Sequence, residues 1–170
     1  MFGTLSNKEI EQVLHDQYLG RIGCHAENLT YVVPISYAYD GQSIYCHTQE
    51  GMKTKMMRKN PYVCFQVDSF EAMAAWKSVI AWGKFEELTK PAAREEALKI
   101  LLNRNYPIIS SQKMHLGEDW PFWPDDLNDI GGIVFKIELD RKTGRYEIND
   151  YISGSMEEAL RQASNDSCVL

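Results

Sequence analysis

The sequence predicts a mainly β protein with peripheral helices, built as an antiparallel barrel or sandwich. Six or seven strand-like runs are joined mostly by short hairpin connections, and helical periodicity is confined to the ends and one interruption. The βαβ alternation of a parallel nucleotide-binding sheet is missing from the sequence, as are the GxGxxG and GxxxxGK[ST] motifs. The 170 residues are predicted to form one domain over 1–170, with a core at about 5–150 and a helix and tail at 151–170.

The first half of the chain begins with a helix signal and continues as strands. Ser6 and Glu9 form a capping box, which predicts a helix from Asn7 to about Tyr18. The dipeptide Asp40-Gly41 is typical of a two-residue type I′ hairpin turn, in which both central residues need φ > 0. The strands predicted in this half occupy residues 21–26, 29–39 and 43–48.

The second half alternates in the same way. Pro91 opens the clearest helix, 91–103, and residues 51–60 are predicted to form one or two helical turns. Ser155 and Glu158 repeat the capping box and predict a short terminal helix. The irregular stretch 105–129 holds the aromatic segment Trp120–Trp123, which we expect either to cover a site or to clasp the barrel or a dimer. The strands predicted here occupy 62–67 and 75–85, followed by a last hairpin of 131–140 and 144–149.

Charge and cysteine usage restrict the class of protein. The net charge of −6 disfavours nucleic acid and anionic membranes as partners. No window is apolar enough for a transmembrane helix, and the N-terminus does not resemble a signal peptide. The cysteines form no CxxC pair, so we expect free thiols in a reducing cytoplasm and no metal site. The four cysteines are Cys24, Cys46, Cys64 and Cys168.

The segment Met52–Lys59 carries four bases and no acid, directly after Gly51. Backbone N–H groups at a helix N-terminus together with a lysine make an anion site, especially for phosphate. The alternative is a solvated basic helix face with Met56 and Met57 turned to the core. Lys53 lies in the first turn, against the preference of the helix dipole, where a bound anion would offset the cost.

Two further segments are candidates for chemistry. His47 ends the strand that leads into the basic turn, and the alternative is an ordinary surface or core histidine. Trp76-Lys77-Ser78 opens a later strand, where aromatic residues are more often core. The sequence contains no GxSxG elbow and no HExxH helix, so hydrolase and zinc-protease templates are not matched.

With these segments in view, the chain resembles the pyridoxamine 5′-phosphate oxidase-like, FMN-binding split-barrel superfamily. It is most similar to the branch that contains the nitroimidazole-resistance (Nim) flavoproteins. Six short pieces occur in the matching order. They are Leu19-Gly20-Arg21-Ile22-Gly23, Tyr31-Val32-Val33-Pro34-Ile35-Ser36-Tyr37, Ile44-Tyr45-Cys46-His47-Thr48, Gly51-Met52-Lys53, Asn60-Pro61-Tyr62-Val63-Cys64-Phe65, and Trp76-Lys77-Ser78-Val79 with Gly83-Lys84.

The resemblance implies a six-stranded antiparallel split barrel that forms a homodimer, with FMN in a groove between the subunits. It implies that Lys53 meets the FMN phosphate and that Trp76, Lys77 and Ser78 contact the ribityl or phosphate end. It also implies that His47 and Thr48 approach the flavin, and His47 is the candidate catalytic residue. The stretch expected to line the flavin, largely through backbone groups, is Val33, Pro34, Ile35, Ser36 and Tyr37.

The implied function is that of an FMN-dependent oxidoreductase. It would take electrons from a reduced nicotinamide or another donor and reduce a small acceptor such as a nitroaromatic compound. Two alternatives remain: a flavin carrier or sensor without turnover, and a haem protein using His25, His47 or His115. Many relatives carry a base where this chain has Met52 and an arginine where it has Tyr62, which leaves Lys55 or Arg21 as substitute phosphate contacts. Pyridoxamine phosphate itself is not expected as the substrate.

Overall fold

The computed structural model describes residues 1–73, 75–104 and 130–148. The aromatic segment Trp120–Trp123 and the helix predicted from Ser155 lie outside the described residues. This part of the chain contains seven strands and three helices. In chain order they are β1 (Phe2–Thr4), α1 (Asn7–Asp16), β2 (Leu19–Ala26), β3 (Leu29–Tyr39), β4 (Ser43–Thr48), α2 (Met52–Lys59), β5 (Tyr62–Ala72), β6 (Ala75–Glu87), α3 (Pro91–Leu102) and β7 (Ile133–Ile148).

All strand pairs are antiparallel, and the strand order is β1-β7-β4-β3-β2-β5-β6. An additional pairing of β7 with β6 closes β2 to β7 into a ring of six strands. The short strand β1 lies outside this ring, against the last part of β7. The predicted mainly β fold with peripheral helices is confirmed.

Two apolar cores hold the helices on the ring. The larger core fills the inside of the ring, where α1 contributes Ile10, Val13 and Leu14 and α2 contributes Met56 and Met57. The smaller core lies outside the ring, under α3, around Leu98 and Val134. Burial of these apolar faces, rather than helix propensity alone, places the three helices. Within the described ranges, no helix is long and apolar enough to cross a membrane.

The predicted last hairpin is wrong. Residues 133–148 form one strand, which pairs with β6 from Glu87 to Ala75. The composition of Asp140–Gly144 is typical of a turn, but β6 supplies ladder partners for residues 141–144 themselves, and a register shift between Trp82 and Gly83 accommodates Asp140. Gly144 is needed for close packing, because a Cβ there would lie 2.7 Å from the side chain of Leu5.

The type I′ turn lies at a different hairpin from the one predicted. Glu27 and Asn28, between β2 and β3, have φ of 52° and 62°, as a type I′ turn requires. At the predicted position only Gly41 has a positive φ. Asp40 instead caps a longer loop, because its Oδ1 accepts hydrogen bonds from the backbone N–H groups of residues 42 (2.8 Å) and 43 (2.6 Å).

Candidate functional site

The ring is split between β3 and β4. Their ladder consists only of the pairs that join Tyr37–Tyr39 to Ile44–Cys46. Residues 29–36 of β3 pair with β2 on the other side, whereas the end of β4 pairs with β7. One edge of β3 therefore has no strand partner over residues 33–36 within the part of the chain that the structure describes. Backbone N–H and C=O groups along such an edge can bind a planar polar ligand.

The five residues predicted to line a flavin lie on this open edge or at its end. Their side chains alternate: Ile35 and Tyr37 are buried, whereas Pro34 and Ser36 are exposed and Val33 is half-buried. The Tyr37 hydroxyl donates to the carbonyl oxygen of Leu14 at 2.9 Å, and burial raises the pKa of this phenol. Tyr37 is therefore a core residue by its side chain, and the stretch offers a ligand mainly its backbone.

His47 and Thr48 end β4, beside the open edge, and both are half-buried. Nε2 of His47 lies 2.7 Å from the carbonyl oxygen of Gly131. The Thr48 hydroxyl donates to the carbonyl oxygen of Gln49 at 3.3 Å. The structure thus places both predicted residues at the mouth of the split, immediately before α2.

The four bases of α2 are in two different environments. Arg58 donates to Glu50 at 2.8 Å and to Glu87 at 2.7 Å, and Lys59 pairs with Glu27 at 2.7 Å. Lys53 and Lys55 form no ion pair with the described residues.

Lys53 is half-buried. Burial raises the pKa of the Cys24 and Cys46 thiols, and the charge of Lys53 opposes part of each rise. Lys53 is the second residue of α2, so it lies in the first turn of the helix. Lys53 is thus available to an anion bound at the start of α2.

The predicted residues of β6 lie on two faces. Trp76 donates from Nε1 to Glu147 at 2.8 Å, and Ser78 accepts from the Gln66 side chain at 3.3 Å. Lys77 lies on the opposite face, towards Glu9 on α1. Hydrogen bonds from Ser6 are the main cause of the lowered pKa of Glu9, and the charge of Lys77 adds a smaller contribution. Strand alternation therefore separates Lys77 from its two neighbours.

A polar cluster beside Ser78 was missed by the sequence analysis. Arg21 pairs with Asp68 at 3.2 Å and donates to Gln66 at 3.3 Å. Gln66 and Asp68 are two positions apart on β5, so they share the outer face of the sheet. This i, i+2 spacing of polar residues in an otherwise apolar strand is the feature of the sequence from which the cluster could have been predicted. Arg21, proposed as a substitute phosphate contact, is engaged by this cluster instead.

The predicted site residues form two groups that one chain does not bring together. His47 on β4 pairs with Val134, whereas Ser78 on β6 pairs with Arg145. These partners are eleven positions apart on β7, which corresponds to about 35 Å along the strand. The first group contains the β3 edge, His47, Thr48 and Lys53, and the second contains Trp76 and Ser78.

Outside the Arg21 cluster, the outer face of β2, β3, β5 and β6 carries exposed apolar side chains and two grooves. Val32, Tyr62 and Phe70 are 59%, 66% and 68% exposed, which is unusual for such side chains on one surface. A groove of about 500 Å³ runs past Tyr62 and Trp82, and another of about 410 Å³ runs past Phe70 and Ser78. The second group of predicted residues therefore borders an extended apolar surface.

No group of three or more histidine, cysteine or acidic residues is arranged for a metal ion in the described ranges. His25, named for the haem alternative, has its Nδ1 3.1 Å from the hydroxyl of Thr30, and His115 lies outside the described residues. The geometry thus offers an open strand edge, two lysines at the start of α2 with no ion pair among the described residues, and an outer face with exposed apolar side chains.

The six-strand ring with an open β3 edge defines a split-barrel protein. The model of the pyridoxamine 5′-phosphate oxidase family matches residues 6–145. The chain belongs to this family, and the resemblance seen in its sequence is confirmed.

Similar proteins are known at several levels of identity. An uncharacterized protein of Rhizobium meliloti (strain 1021) is 37% identical, over 84% of this chain and 93% of that protein. Among solved structures, a FAD-binding protein of Mesorhizobium loti is 30% identical, with a TM-score of 0.67 over 87% of this chain and 99% of its own. A proposed 5-nitroimidazole antibiotic resistance protein of Bacteroides thetaiotaomicron is 20% identical, with a TM-score of 0.66 over 86% and 87% of the two chains. The last likeness concerns the fold alone.

Proposed function

We propose that this chain binds a flavin, FMN in the first place, and acts as an oxidoreductase that reduces a small acceptor such as a nitroaromatic compound. The observation that carries the proposal is the open β3 edge, together with the half-buried Lys53 in the first turn of the helix that follows β4, which has no ion pair with described residues. Family membership and the FAD-binding relative of Mesorhizobium loti support a flavin.

The residues present fit the two ends of a flavin. Lys53 and the N–H groups of the first turn of α2 would hold the phosphate, because both favour a bound anion. The free backbone groups of residues 33–36 would hydrogen-bond the edge of the planar ring. His47 and Thr48 would lie beside that ring and orient it. A bound flavin would supply the electron transfer between donor and acceptor, so this chain needs no acid–base triad.

We further propose a homodimer with flavin between the subunits. About 35 Å of strand length separates the β7 partners of His47 and Ser78, so Trp76 and Ser78 would complete the site of a second subunit. The exposed apolar face beside these residues suits such an interface.

Val32→Asp, in the middle of that face, is expected to yield monomers with less bound flavin. Lys99→Asp, on the exposed side of α3, is expected to change neither the oligomeric state nor the flavin content. Sedimentation together with flavin absorbance measures both, and a Val32→Asp dimer with full flavin would contradict the proposal.

The form of the flavin is open to a direct test. FMN is proposed because the anion site at α2 suits one terminal phosphate, whereas FAD is the alternative because the relatives from Mesorhizobium loti and Mycobacterium smegmatis are called FAD-binding. The flavin released from purified protein by acid is identified by chromatography. FAD in place of FMN would change the cofactor and leave the fold and the lysine assignment in place.

A visible absorption spectrum, followed by reduction with NADH or NADPH, tests the activity. Oxidised-flavin bands that bleach with a nicotinamide donor and return with a nitroaromatic acceptor are the expected result. Flavin bands that no donor bleaches would favour a carrier or sensor, and a haem band would favour the third alternative. The free thiols of Cys24, Cys46 and Cys64 support the further proposal that the protein works in the cytoplasm.

A further inference from the structure

The turn at residues 130–132 leads into β7 and packs against the end of β4. Gly132 has φ of +79°, in the left-handed region that favours glycine. A Cβ at Gly132 would lie 2.7 Å from the carbonyl oxygen of Thr48 and 2.9 Å from Nε2 of His47, closer than real Cβ atoms come. At Gly131, by contrast, a Cβ would meet nothing within 4 Å. Only glycine at position 132 lets this turn close on His47.

Arg94 on α3 holds the same turn through its main chain. Its guanidinium donates to the carbonyl oxygens of Ile130, of Gly131 at 3.4 Å and of Gly132 at 3.2 Å. A planar guanidinium with several donors suits three successive carbonyls, which a lysine ammonium cannot span in the same way. The position of the turn is therefore fixed from α3.

The contact between this turn and His47 determines where the imidazole carries its hydrogen. The carbonyl oxygen of Gly131, 2.7 Å from Nε2 of His47, can only accept, so Nε2 must be the donor. A neutral imidazole with its hydrogen on Nε2 has its lone pair on Nδ1. Any group that bonds to Nδ1 of the neutral ring must then be a donor.

We infer that Arg94 and Gly132 are positioning residues for His47. Arg94 fixes the turn, Gly132 lets the turn close on β4, and the carbonyl of Gly131 holds the imidazole in one orientation with its hydrogen on Nε2. Any role of this arrangement in turnover rests on the proposed function, in which the same imidazole lies beside a flavin. The tautomer itself requires no flavin.

Nitrogen-15 NMR of the imidazole groups in the purified full-length protein tests this inference, with His47→Gln used to identify the His47 signals. The expected result for the unmodified protein is the Nε2–H tautomer, with a ring N–H proton protected from exchange with water. Gly132→Ala is expected to lose that protected proton, and the matched Gly131→Ala is expected to keep it. An Nδ1–H tautomer in the unmodified protein would overturn the inference.

A pair of Arg94 variants, with a control on the same helix, tests Arg94 without changing the sequence of residues 130–132. Arg94→Met is expected to lose the protected proton and Arg94→Lys to retain part of it, whereas Lys99→Met on the same helix is expected to leave it unchanged. A protected His47 proton that survives Arg94→Met would overturn the role of Arg94, and this pair decides even if Gly132→Ala does not fold. Flavin absorbance on the same samples separates the two proposals, because a flavin-free protein with these His47 signals would retain this inference and lose the proposed function.

Discussion

The two ends of α2 use the same kind of residue for different purposes. At its C-terminal end, Arg58 bridges Glu50 and Glu87 and Lys59 pairs with Glu27, so these bases fasten the helix to β6 and to the β2–β3 turn. At its N-terminal end, Lys53 has no ion pair with the described residues. A run of bases is thus a poor measure of anion-binding capacity, because its neighbours in space decide which charges are already neutralised.

Lys55 belongs to the same N-terminal end but differs from Lys53 in its surroundings. It is exposed, and its charge makes a small contribution to lowering the pKa of Glu50, after the hydrogen bonds from Arg58 and Thr54. The half-buried Lys53 is screened less by water. We therefore expect Lys53 to contribute most of the binding energy for an anion at this helix.

The largest effect is expected from Lys53→Ala. Loss of a charged hydrogen bond to a phosphate is expected to weaken flavin binding by about 1.5–3 kcal/mol, or about 10- to 150-fold in Kd. Lys59→Ala is the matched control at the other end of the helix and is expected to leave Kd unchanged. Titration of flavin fluorescence measures both. Equal losses for the two variants would abolish the distinction between the ends of α2.

A smaller effect is expected from Arg58→Met, and on stability rather than on binding. Arg58 is 40% exposed and makes two ion pairs, so its loss is expected to destabilise the fold only slightly, because water screens exposed ion pairs. Urea unfolding measures the change, and flavin affinity of the folded variant is expected to stay the same. A loss of flavin without a loss of stability would show that this end of the helix also contacts the ligand.

Met52→Arg is expected to act in the opposite direction. Met52 is exposed in the first turn and lines a cleft of about 290 Å³ with Lys55. An arginine there adds a base to the first turn of α2 and is expected to tighten flavin binding by about 0.5 kcal/mol, or about twofold. Met52→Gln, similar in length but uncharged, is the control. The same fluorescence titration applies, and weaker binding by Met52→Arg would contradict a phosphate at this turn.

The smallest effect is the pH dependence of the Arg58 bridge. Hydrogen bonds from Arg58 and then Thr54 lower the pKa of Glu50 below its ordinary value of 4.5. A carboxyl group with a lowered pKa stabilises the fold fully above its unfolded pKa, and this contribution disappears as the pH falls through the folded pKa. The difference in Tm between the unmodified protein and Arg58→Met is therefore expected to shrink below about pH 4.5. A difference that stays constant from pH 6 to pH 3.5 would show that Glu50 does not mediate it.

Elements with local signals were predictable from the sequence. The capping box of α1 forms as predicted, with Glu9 accepting from the backbone N–H of Ser6 at 2.9 Å. Both partners lie within one helical turn, so no distant residue is needed to decide the outcome. The start of α2 after Gly51 and the proline at the start of α3 are local in the same sense.

The candidate site was predictable in part. The order of motifs pointed to the β3 edge, His47 and Lys53; in the structure His47 lies beyond the end of the β3–β4 ladder and Lys53 lies in the helix that follows β4. It did not reveal that Trp76 and Ser78 lie far from this split in the same chain, because their separation depends on the long pairing of β6 with β7. Nor did it reveal that Arg94 donates hydrogen bonds to the backbone of the 130–132 turn, because these residues are distant in sequence.

By itself, the sequence determined the class of fold, the helices and strands with local caps and alternation, and the family. Tertiary structure alone decided that Asp140–Gly144 continues a strand, that the type I′ turn falls at Glu27-Asn28, and that Arg58 has ion-pair partners whereas Lys53 has none among the described residues. Caps and alternation act between residues a few positions apart. Ladder partners, ion pairs and the closure of the ring join residues that only the folded chain brings together.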